Sequence, residues 1–192
     1  MSQEISRCAW CTGSEIMQKY HDEEWGFPKH NDLQHFEFLI LESAQAGLSW
    51  LTVLKRREGY RKAFKNFDPL AVSKFNERKI EELMKNEEII RNRLKITASV
   101  KNAKLFLEIQ KEFGSFDKYL WNFSENKQII NNIKSIKDIP PKSSLSDSIS
   151  KELKNRGFSF IGSTIIYAHL QAVGLINDHE NTCFRKVSCK DK

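Results

Sequence analysis

The sequence predicts an all-α fold. Apolar residues recur at helical spacing through most of the chain, and no stretch alternates apolar and polar residues as a half-buried strand does. Residues that favour helix ends, Asn and Ser at the start and Gly at the stop, separate these stretches. The chain has 192 residues, 40% of them hydrophobic, so it can bury one domain core or two small lobes around a cleft.

Three helical segments are predicted in the first half. LQHFEFLILESAQAGL is apolar on nearly every side, which is typical of a buried helix. In SWLTVLKRREGYRKAFKNF, one face carries Trp50, Val53 and Leu54, and the basic residues 55–57 lie off that face. FNERKIEELMKN begins at Asn76, a suitable N-cap, and has acids in its first turn.

The second half continues the helical pattern around one loop. NRLKITASVKNAKLFLEIQKEFG is helically spaced and stops at Gly114, and a shorter helix follows around SFDKYLWNF. Residues 124–142 are polar, have little periodicity and contain two adjacent prolines, so we expect a long surface loop there. SLSDSISKELKNRG then opens with a serine N-cap candidate and ends at Gly157.

A short hairpin separates the last two helices and is a candidate anion site. Glycines at both ends, Gly157 and Gly162, let the backbone approach a ligand closely. Ser163 and Thr164 can cap the second helix, and the free N–H groups at its start favour an anion. The nearby basic residues are Lys151, Lys154 and Arg156. The pattern predicts a grip on nucleic-acid phosphates, although an ordinary basic helical hairpin would share it.

Composition restricts the classes of partner. Lys and Arg number 31 against 25 Asp and Glu, a net charge of +6 that suits a polyanionic partner. No apolar run approaches 18 residues and the N-terminus lacks the apolar core of a signal peptide, so we expect a cytoplasmic protein without a membrane partner. There the four cysteines are expected as metal ligands, core residues or free thiols rather than disulfides.

Cysteine and histidine concentrate near the two ends of the chain. His179 and Cys183 lie four residues apart, and Cys8, Cys11 and His21 lie near the N-terminus. Two tetrads are possible: Cys8 and Cys11, or Cys8 and His21, each with the C-terminal pair. Spacing slightly favours the first, because C-x2-C is the commoner knuckle, and unrelated thiols and histidines remain the alternative. Either tetrad would join the chain ends and leave no open position for a catalytic water.

Glu42 marks a candidate pocket. Phe38, Leu39 and Ala46, three or four residues away in the helix, are apolar, and a buried carboxylate is costly unless it is paired. Gln45, Ser49 and Trp50 could surround the same cavity. Further aromatic residues near the metal-ligand candidates are Tyr20, Trp25 and Trp10. Such a pocket suits a flat cationic molecule, whereas the alternative is a core glutamate satisfied by backbone amides among packed aromatics.

Six stretches together resemble type I 3-methyladenine DNA glycosylases, of the helix-hairpin-helix glycosylase superfamily. They are RCAW, YHDEEWGFP, LESAQAGLSWLTVLKRRE, FDP, IIRNRLKI and RGFSFIGSTIIYAHLQAVGLINDH, and they cover roughly residues 7–185 in the family's order. The resemblance implies one glycosylase domain over residues 1–192, with two helical lobes around a cleft. It places the helix-hairpin-helix element at about 145–175 and zinc-binding termini at about 7–21 and 179–183.

The resemblance also implies the roles of individual residues. The implied ligands of one structural zinc are Cys8, His21, His179 and Cys183. Cys11 and Cys189 would then lie outside the zinc site. The implied base-binding residues are Glu42, Tyr20, Trp50 and Trp10, with Glu42 as the candidate catalytic residue. Met17 departs from the family pattern, in which an aromatic residue often occupies this position, although its sulfur can still cover a base face.

The implied activity is hydrolysis of the N-glycosidic bond of 3-methyladenine in DNA, which leaves an abasic site in base excision repair. The nucleotide must be flipped out of the stack, and the methylated base is a cation that Glu42 can distinguish from neutral adenine. The helix STIIYAHLQAVG has no lysine for a Schiff base, so no lyase activity is expected. Asp178 adjoins His179, and we expect it to be structural.

Two other hypotheses remain open at this point. The first is a non-catalytic protein of the same fold that binds alkylation damage in DNA. The second is a zinc-containing helical module that binds a peptide in its cleft. Release of free methylated base from alkylated DNA separates both from the glycosylase. The expected partners of the glycosylase are double-stranded alkylated DNA and free 3-methyladenine, and the expected state is a monomer.

Overall fold

The described part of the chain, residues 5–188 of a computed structural model, is mostly helical, as predicted. Cys189 lies outside the described residues. The α-helices are α1 (Glu15–Glu23), α2 (Asp32–Gln45), α3 (Trp50–Leu54), α4 (Arg57–Ala63), α5 (Pro69–Ser73), α6 (Glu77–Lys85), α7 (Arg93–Phe113), α8 (Phe116–Asn122), α9 (Ser144–Asn155), α10 (Ser163–Ala172) and α11 (Arg185–Ser188). None of these helices is both long enough and apolar enough to cross a membrane.

Several helix boundaries agree with the sequence analysis. The Asn76 side chain accepts a hydrogen bond from the Lys79 N–H at the start of α6, at 3.1 Å. Gly114 ends α7 in the left-handed region, with φ at 85°. The single helix predicted over SWLTVLKRREGYRKAFKNF is wrong, because the chain forms α3, α4 and a left-handed turn over residues 65–67. Neither proline nor glycine marks these breaks in the sequence.

Two short strands depart from the all-α prediction. β1 (Ile129–Ile130) pairs in parallel with β2 (Ile176–Asn177), and an isolated bridge joins Ile133 to Glu180. The predicted surface loop over residues 124–142 is therefore attached to the segment that follows α10. Strands of two residues are too short to produce an alternating pattern, so the sequence gives no sign of them.

Helix α2 runs through the core and ends at a buried ammonium group. Lys95 of α7 donates hydrogen bonds from Nζ to the carbonyls of Ala44 at 2.8 Å and Ala46 at 2.6 Å. These are carbonyls at the helix end that lack helical partners. Burial lowers the pKa of Lys95, and its bonds to the two carbonyls offset that desolvation. The lysine thus fixes the turn that follows α2.

The hairpin between α9 and α10 is held by side chains of the core helices. Ser43 of α2 donates to the Phe160 carbonyl at 3.0 Å, and Asn102 of α7 exchanges two hydrogen bonds with the Ser159 backbone. The predicted capping of α10 by Ser163 and Thr164 is wrong. Its N-cap is Gly162, which provides no side-chain acceptor, and the Ser163 hydroxyl pairs with that of Ser146 at 2.9 Å.

Candidate functional site

A cavity of about 470 Å³ lies between α1, α2 and α10. Part of the loop before α9 closes one side of it. The cavity is lined by Trp10, Met17, Tyr20, Trp25, Glu42, Gln45, Trp50, Ile136, Ile139, Pro140, Pro141, Ala168 and Gln171. The structure therefore brings together all four residues that the resemblance implies for base binding. Sequence reasoning missed the loop residues of this cavity and also two residues of α10, Ala168 and Gln171. The available signal was a glutamine within the apolar helix STIIYAHLQAVG.

Glu42 faces this cavity without a partner. Its residue is only 4% exposed, and its carboxyl group makes no hydrogen bond or ion pair with any residue from 5 to 188. Desolvation raises the pKa of Glu42 from 4.5 to about 8, so the carboxyl group is mostly protonated in the empty cavity at neutral pH. A cation in the cavity would supply the missing partner and favour the ionised form.

Aromatic rings form the walls beside Glu42. The Tyr20 ring lies 5.3 Å from the Trp50 ring, and Trp10 meets Trp25 edge to face at 5.0 Å. Burial, with a contribution from Glu42, raises the pKa of Tyr20 well above its ordinary value, so its phenol stays neutral. The indole N–H groups of Trp10 and Trp50 find no acceptor among the described residues. The walls therefore present ring faces, and the two indole N–H groups lie buried within them.

A second, smaller cavity of about 230 Å³ adjoins the first. Glu42 and Gln45 line both cavities, and the second also reaches Leu48 and Thr164. It therefore lies between the turn after α2 and the start of α10. Leu48, in that turn, is 42% exposed. Glu42 stands at the junction between the aromatic cavity and the hairpin face.

Four buried side chains from the two chain ends form a cluster behind the aromatic wall. Cys8, His21, His179 and Cys183 each offer one ligand atom, and these atoms lie within 4.8 Å of one another. The two histidine nitrogens are 3.2 Å apart, and three of the four S–N separations run from 3.4 to 3.6 Å. An ideal tetrahedral zinc site with two cysteines and two histidines has edges of about 3.3 Å between nitrogens and about 3.5 Å between sulfur and nitrogen.

Hydrogen bonds outside the cluster orient its ligand atoms. His21 donates from Nδ1 to Asp22 at 2.7 Å, and Arg7 holds that carboxylate at 2.8 Å. His179 donates from Nε2 to the Trp25 carbonyl at 3.0 Å. The remaining nitrogens, Nε2 of His21 and Nδ1 of His179, are therefore free to act as ligands. A backbone N–H also points at the sulfur of Cys8 at 3.3 Å.

Cys11 lies outside the cluster, contrary to the preference that spacing gave to C-x2-C. Residues 9–11 form a 3₁₀ turn, which directs the Cys11 thiol to the Cys8 carbonyl at 3.1 Å. Burial raises the pKa of Cys11 to about 11, so it remains a thiol. Helix α1 instead carries His21 into the cluster.

The cluster and the cavity share the same rings. Trp10 packs edge to face on His21 at 5.4 Å, and Trp25 packs on His179 at 4.7 Å. The His179 ring packs so closely on the backbone of Gly26 that a Cβ at this position would lie 2.9 Å from it. The position of the aromatic wall therefore depends on the cluster behind it.

The residues predicted to contact DNA lie in different environments. Lys154 and Thr164 are exposed, and neither side chain pairs with a described residue. Arg156 instead forms ion pairs with Glu112 and Glu152, both at 2.6 Å. Its charge is therefore largely matched within the protein.

The two hairpin glycines differ in the same way. Gly157 has φ at 100°, a backbone conformation that favours glycine whether or not a ligand binds there. A Cβ at Gly162 would meet nothing within 4 Å. The N–H groups of Ser163 and Thr164, at the start of α10, donate to no capping side chain.

Comparison with known proteins shows what this chain is similar to. The methyladenine glycosylase family model matches residues 10–186. The DNA-3-methyladenine glycosylase of Haemophilus influenzae is 44% identical over 183 residues, which cover 95% of this chain and 99% of the relative. DNA-3-methyladenine glycosylase 1 of Escherichia coli K12 is 41% identical over 179 residues, which cover 93% of this chain and 96% of the relative.

Solved structures agree with these relatives. A crystal structure of 3-methyladenine DNA glycosylase I matches with a TM-score of 0.90 and 42% identity, over 93% of this chain and 98% of that one. The Staphylococcus aureus enzyme, solved for the basis of 3-methyladenine recognition, matches with a TM-score of 0.90 and 35% identity, over 97% of both chains. A variant glycosylase in complex with 3-methyladenine matches with a TM-score of 0.91 and 34% identity, over 97% and 98%.

The raised pKa of Glu42 predicts a specific dependence of stability on pH. Folding raises this pKa from 4.5 to about 8, so the folded state holds the proton that the unfolded state releases in this range. Relative to Glu42→Gln, the parent should lose stability as pH rises from about 4.5 to 8, by on the order of 4 kcal/mol. Urea denaturation of both proteins at about pH 5 and about pH 8.5 measures the change. A stability difference that is the same at both pH values contradicts the assignment.

Proposed function

The chain belongs to the methyladenine glycosylase family, and from this premise we propose that it excises 3-methyladenine from alkylated DNA by hydrolysing the N-glycosidic bond. The observation that carries the proposal is the buried, unpartnered carboxyl group of Glu42 in an aromatic cavity. Methylation gives the base a positive charge, and a carboxylate in a poorly solvated cavity attracts that cation far more than neutral adenine.

Base recognition requires the nucleotide to leave the duplex. The flipped base enters the larger cavity and stacks on Tyr20 and Trp50, with Trp10 on the neighbouring wall, at an unstacking cost of a few kcal/mol. The methylated base is already a good leaving group, because bond cleavage neutralises its charge. Selective binding therefore provides much of the discrimination. Helix α10 contains no lysine, so the expected product is an abasic site without strand cleavage.

We propose Glu42 as the catalytic residue because of its place at the junction of the two cavities. As the glycosidic bond breaks, positive charge moves from the base to the sugar. Since Glu42 lines both the aromatic cavity and the one that opens toward the hairpin, its carboxylate can face the base and the sugar in turn. A preorganised anion at that point stabilises the charge that develops on the sugar.

We propose one structural zinc ion, held by Cys8, His21, His179 and Cys183. Four of the six separations between the ligand atoms, from 3.2 to 3.6 Å, match a tetrahedral site, and hydrogen bonds orient both histidines as zinc ligands. Four protein ligands leave no position for a substrate or water, so the ion would join the chain ends rather than take part in hydrolysis. Residues 1–192 would form one domain, with helical lobes meeting at the cavity and an element at about 145–175 for DNA.

We propose double-stranded alkylated DNA as the partner, bound by a monomer at the hairpin face. The uncapped N–H groups of Ser163 and Thr164 suit a phosphate, and Gly162 leaves space for it. Lys154 adds an unpaired positive charge. Arg156 and Gly157 would contribute at the edge of this surface. The exposed Leu48 lies beside the smaller cavity, where an apolar side chain can occupy the gap that a flipped base leaves.

The substitution Glu42→Gln tests the proposed recognition of a cation. It keeps the shape of the side chain and removes the charge, so 3-methyladenine in its protonated, cationic form should bind about 10- to 100-fold more weakly, while neutral adenine should change little. Trp50→Ala should weaken both bases, because stacking does not depend on charge. Calorimetric titration gives both affinities, and release of base from alkylated DNA tests the activity itself. Unchanged affinity of Glu42→Gln for 3-methyladenine would show that the pocket is misplaced.

Metal analysis tests the proposed zinc site. Protein from metal-replete growth should contain about one zinc ion per chain, and Cys8→Ser and His179→Ala should each lose it with a large fall in stability. Structural zinc contributes on the order of 10 kcal/mol in small domains. Cys11→Ser is the matched control and should retain the metal. Less than about a tenth of an equivalent in the parent, or loss of metal from Cys11→Ser alone, contradicts the tetrad.

The proposed DNA surface is tested at Gly162 and Lys154. Because the space beside Gly162 is open, Gly162→Val should fold normally and yet weaken binding to damaged and undamaged duplexes alike. Gly13, which also has open space around it, supplies the control Gly13→Val. Lys154→Ala should reduce the slope of log affinity against log salt by about one. Parental affinity of both hairpin variants at several salt concentrations rules out this surface.

A further inference from the structure

Asp178 is a fully buried carboxylate with three hydrogen-bond donors. Tyr167 and Gln171 of α10 each donate to Oδ2 at 2.7 Å. Asn131, from the loop before α9, donates to Oδ1 at 2.7 Å. The carboxylate is therefore held in one orientation by residues from two elements. Its position is behind the cavity, since Gln171 lines the cavity and Asp178 does not.

This carboxylate fixes which edge of the Gln171 amide faces it. An ionised carboxylate only accepts hydrogen bonds, so the amide must turn its NH₂ group toward Asp178. The amide oxygen, Oε1, is then the group left for the cavity. No residue between 5 and 188 donates a hydrogen bond to it, and it is not sealed in the interior as the Gln128 oxygen is. The cavity thus contains a second acceptor besides Glu42.

We infer that Gln171 makes the pocket select a 6-amino purine over a 6-oxo purine, with Asp178 as the positioning residue. An exocyclic amino group has two N–H donors, one for the Glu42 carboxylate and one for Oε1 of Gln171. A 6-oxo group can accept a hydrogen bond from the protonated carboxyl group of Glu42, but it places an acceptor against Oε1 of Gln171 and leaves that oxygen unpaired, which is unfavourable in a poorly solvated cavity. The inference rests on the proposed function, and it concerns which methylated purines the enzyme accepts.

The two acceptors act on different properties of the base. Glu42 carries a charge when ionised and distinguishes a cation from a neutral base. Gln171 is neutral, so it distinguishes the pattern of donors and acceptors on the base edge without regard to charge. Together they define a cationic purine with an amino group, which neither residue could define alone.

The substitution Gln171→Met removes the acceptor and keeps the length of the side chain. Affinity for free 3-methyladenine should fall about tenfold, whereas affinity for 3-methylhypoxanthine, its 6-oxo analogue, should stay the same or rise. Calorimetric titration with both bases measures the ratio. Gln128→Met is the matched control, because Gln128 donates to the carbonyls of Gly26 and Gly174 and does not line the cavity. It should keep the parental ratio.

Asp178→Asn tests the positioning role. Its oxygen can still accept from Asn131, and its new NH₂ group can donate to Gln171, which turns the glutamine so that its own NH₂ faces the cavity. The preference for the 6-amino base should then shrink or invert, an effect that simple loss of packing does not produce. If this variant loses its metal or unfolds, because His179 is adjacent, Gln171→Met alone decides.

Each outcome of the Gln171→Met titration decides the question. A selective loss of 3-methyladenine affinity supports the inference. An unchanged ratio, or an equal loss for both bases, overturns it and leaves Gln171 as a packing residue. The parent serves as the test of the underlying proposal: if it neither binds 3-methyladenine nor releases it from alkylated DNA, the proposed function fails. If it does both and Gln171→Met keeps the ratio, the inference alone fails.

Discussion

The meeting of Cys8, His21, His179 and Cys183 at one point fixes where the aromatic wall of the cavity stands. Trp10 and Trp25 pack edge to face against the two histidine rings, so these indoles cannot shift without moving the cluster. The same contact joins the N-terminal segment to the segment after α10, which are more than 150 residues apart in sequence. Closing such a long loop costs conformational entropy. A bound metal would add to the side-chain contacts that offset this cost.

Helix α2 connects the cavity to the hairpin. Glu42 faces the cavity while its neighbour Ser43 donates to the Phe160 carbonyl of the hairpin. One turn further on, Lys95 holds the carbonyls at the helix end and so fixes the turn that carries Leu48. Because all three contacts arise from one rigid segment, a base in the cavity and a phosphate at the hairpin would be held at a constant separation. Positioning of this kind lowers the entropy that the reaction must lose in its transition state.

Sequence reasoning found the chemistry of the site better than its shape. Glu42 could be recognised because an acid within an apolar helix is unusual, and the Cys/His concentrations could be recognised by composition. Spacing slightly favours Cys11, whereas the structure brings His21 into the cluster, because the choice depends on a 3₁₀ turn and on α1, which leave no clear pattern in the sequence. The wall formed by Ile136 and its neighbours depends on a two-residue strand pair, which periodicity does not detect. The orientation of the Gln171 amide depends on its contact with Asp178, seven residues away, which no local pattern predicts.

Several groups that line the cavity are better satisfied with a ligand bound than in the empty protein. Glu42, whose carboxyl group has no partner, and Gln171, whose amide oxygen accepts no hydrogen bond from the described residues, both line this cavity. Trp10 and Trp50 line it too, and their indole N–H groups are buried without an acceptor in that part of the chain. Each lowers the stability of the empty fold, because a buried polar group without a hydrogen bond is unfavourable by about 1–3 kcal/mol. A well-packed core would satisfy or remove these groups. Buried groups without a partner among the described residues also occur away from the cavity, at His169 and Gln128. Glu42 and Gln171 differ because both line the cavity, where a flat cation with donors on its edge would pair with them.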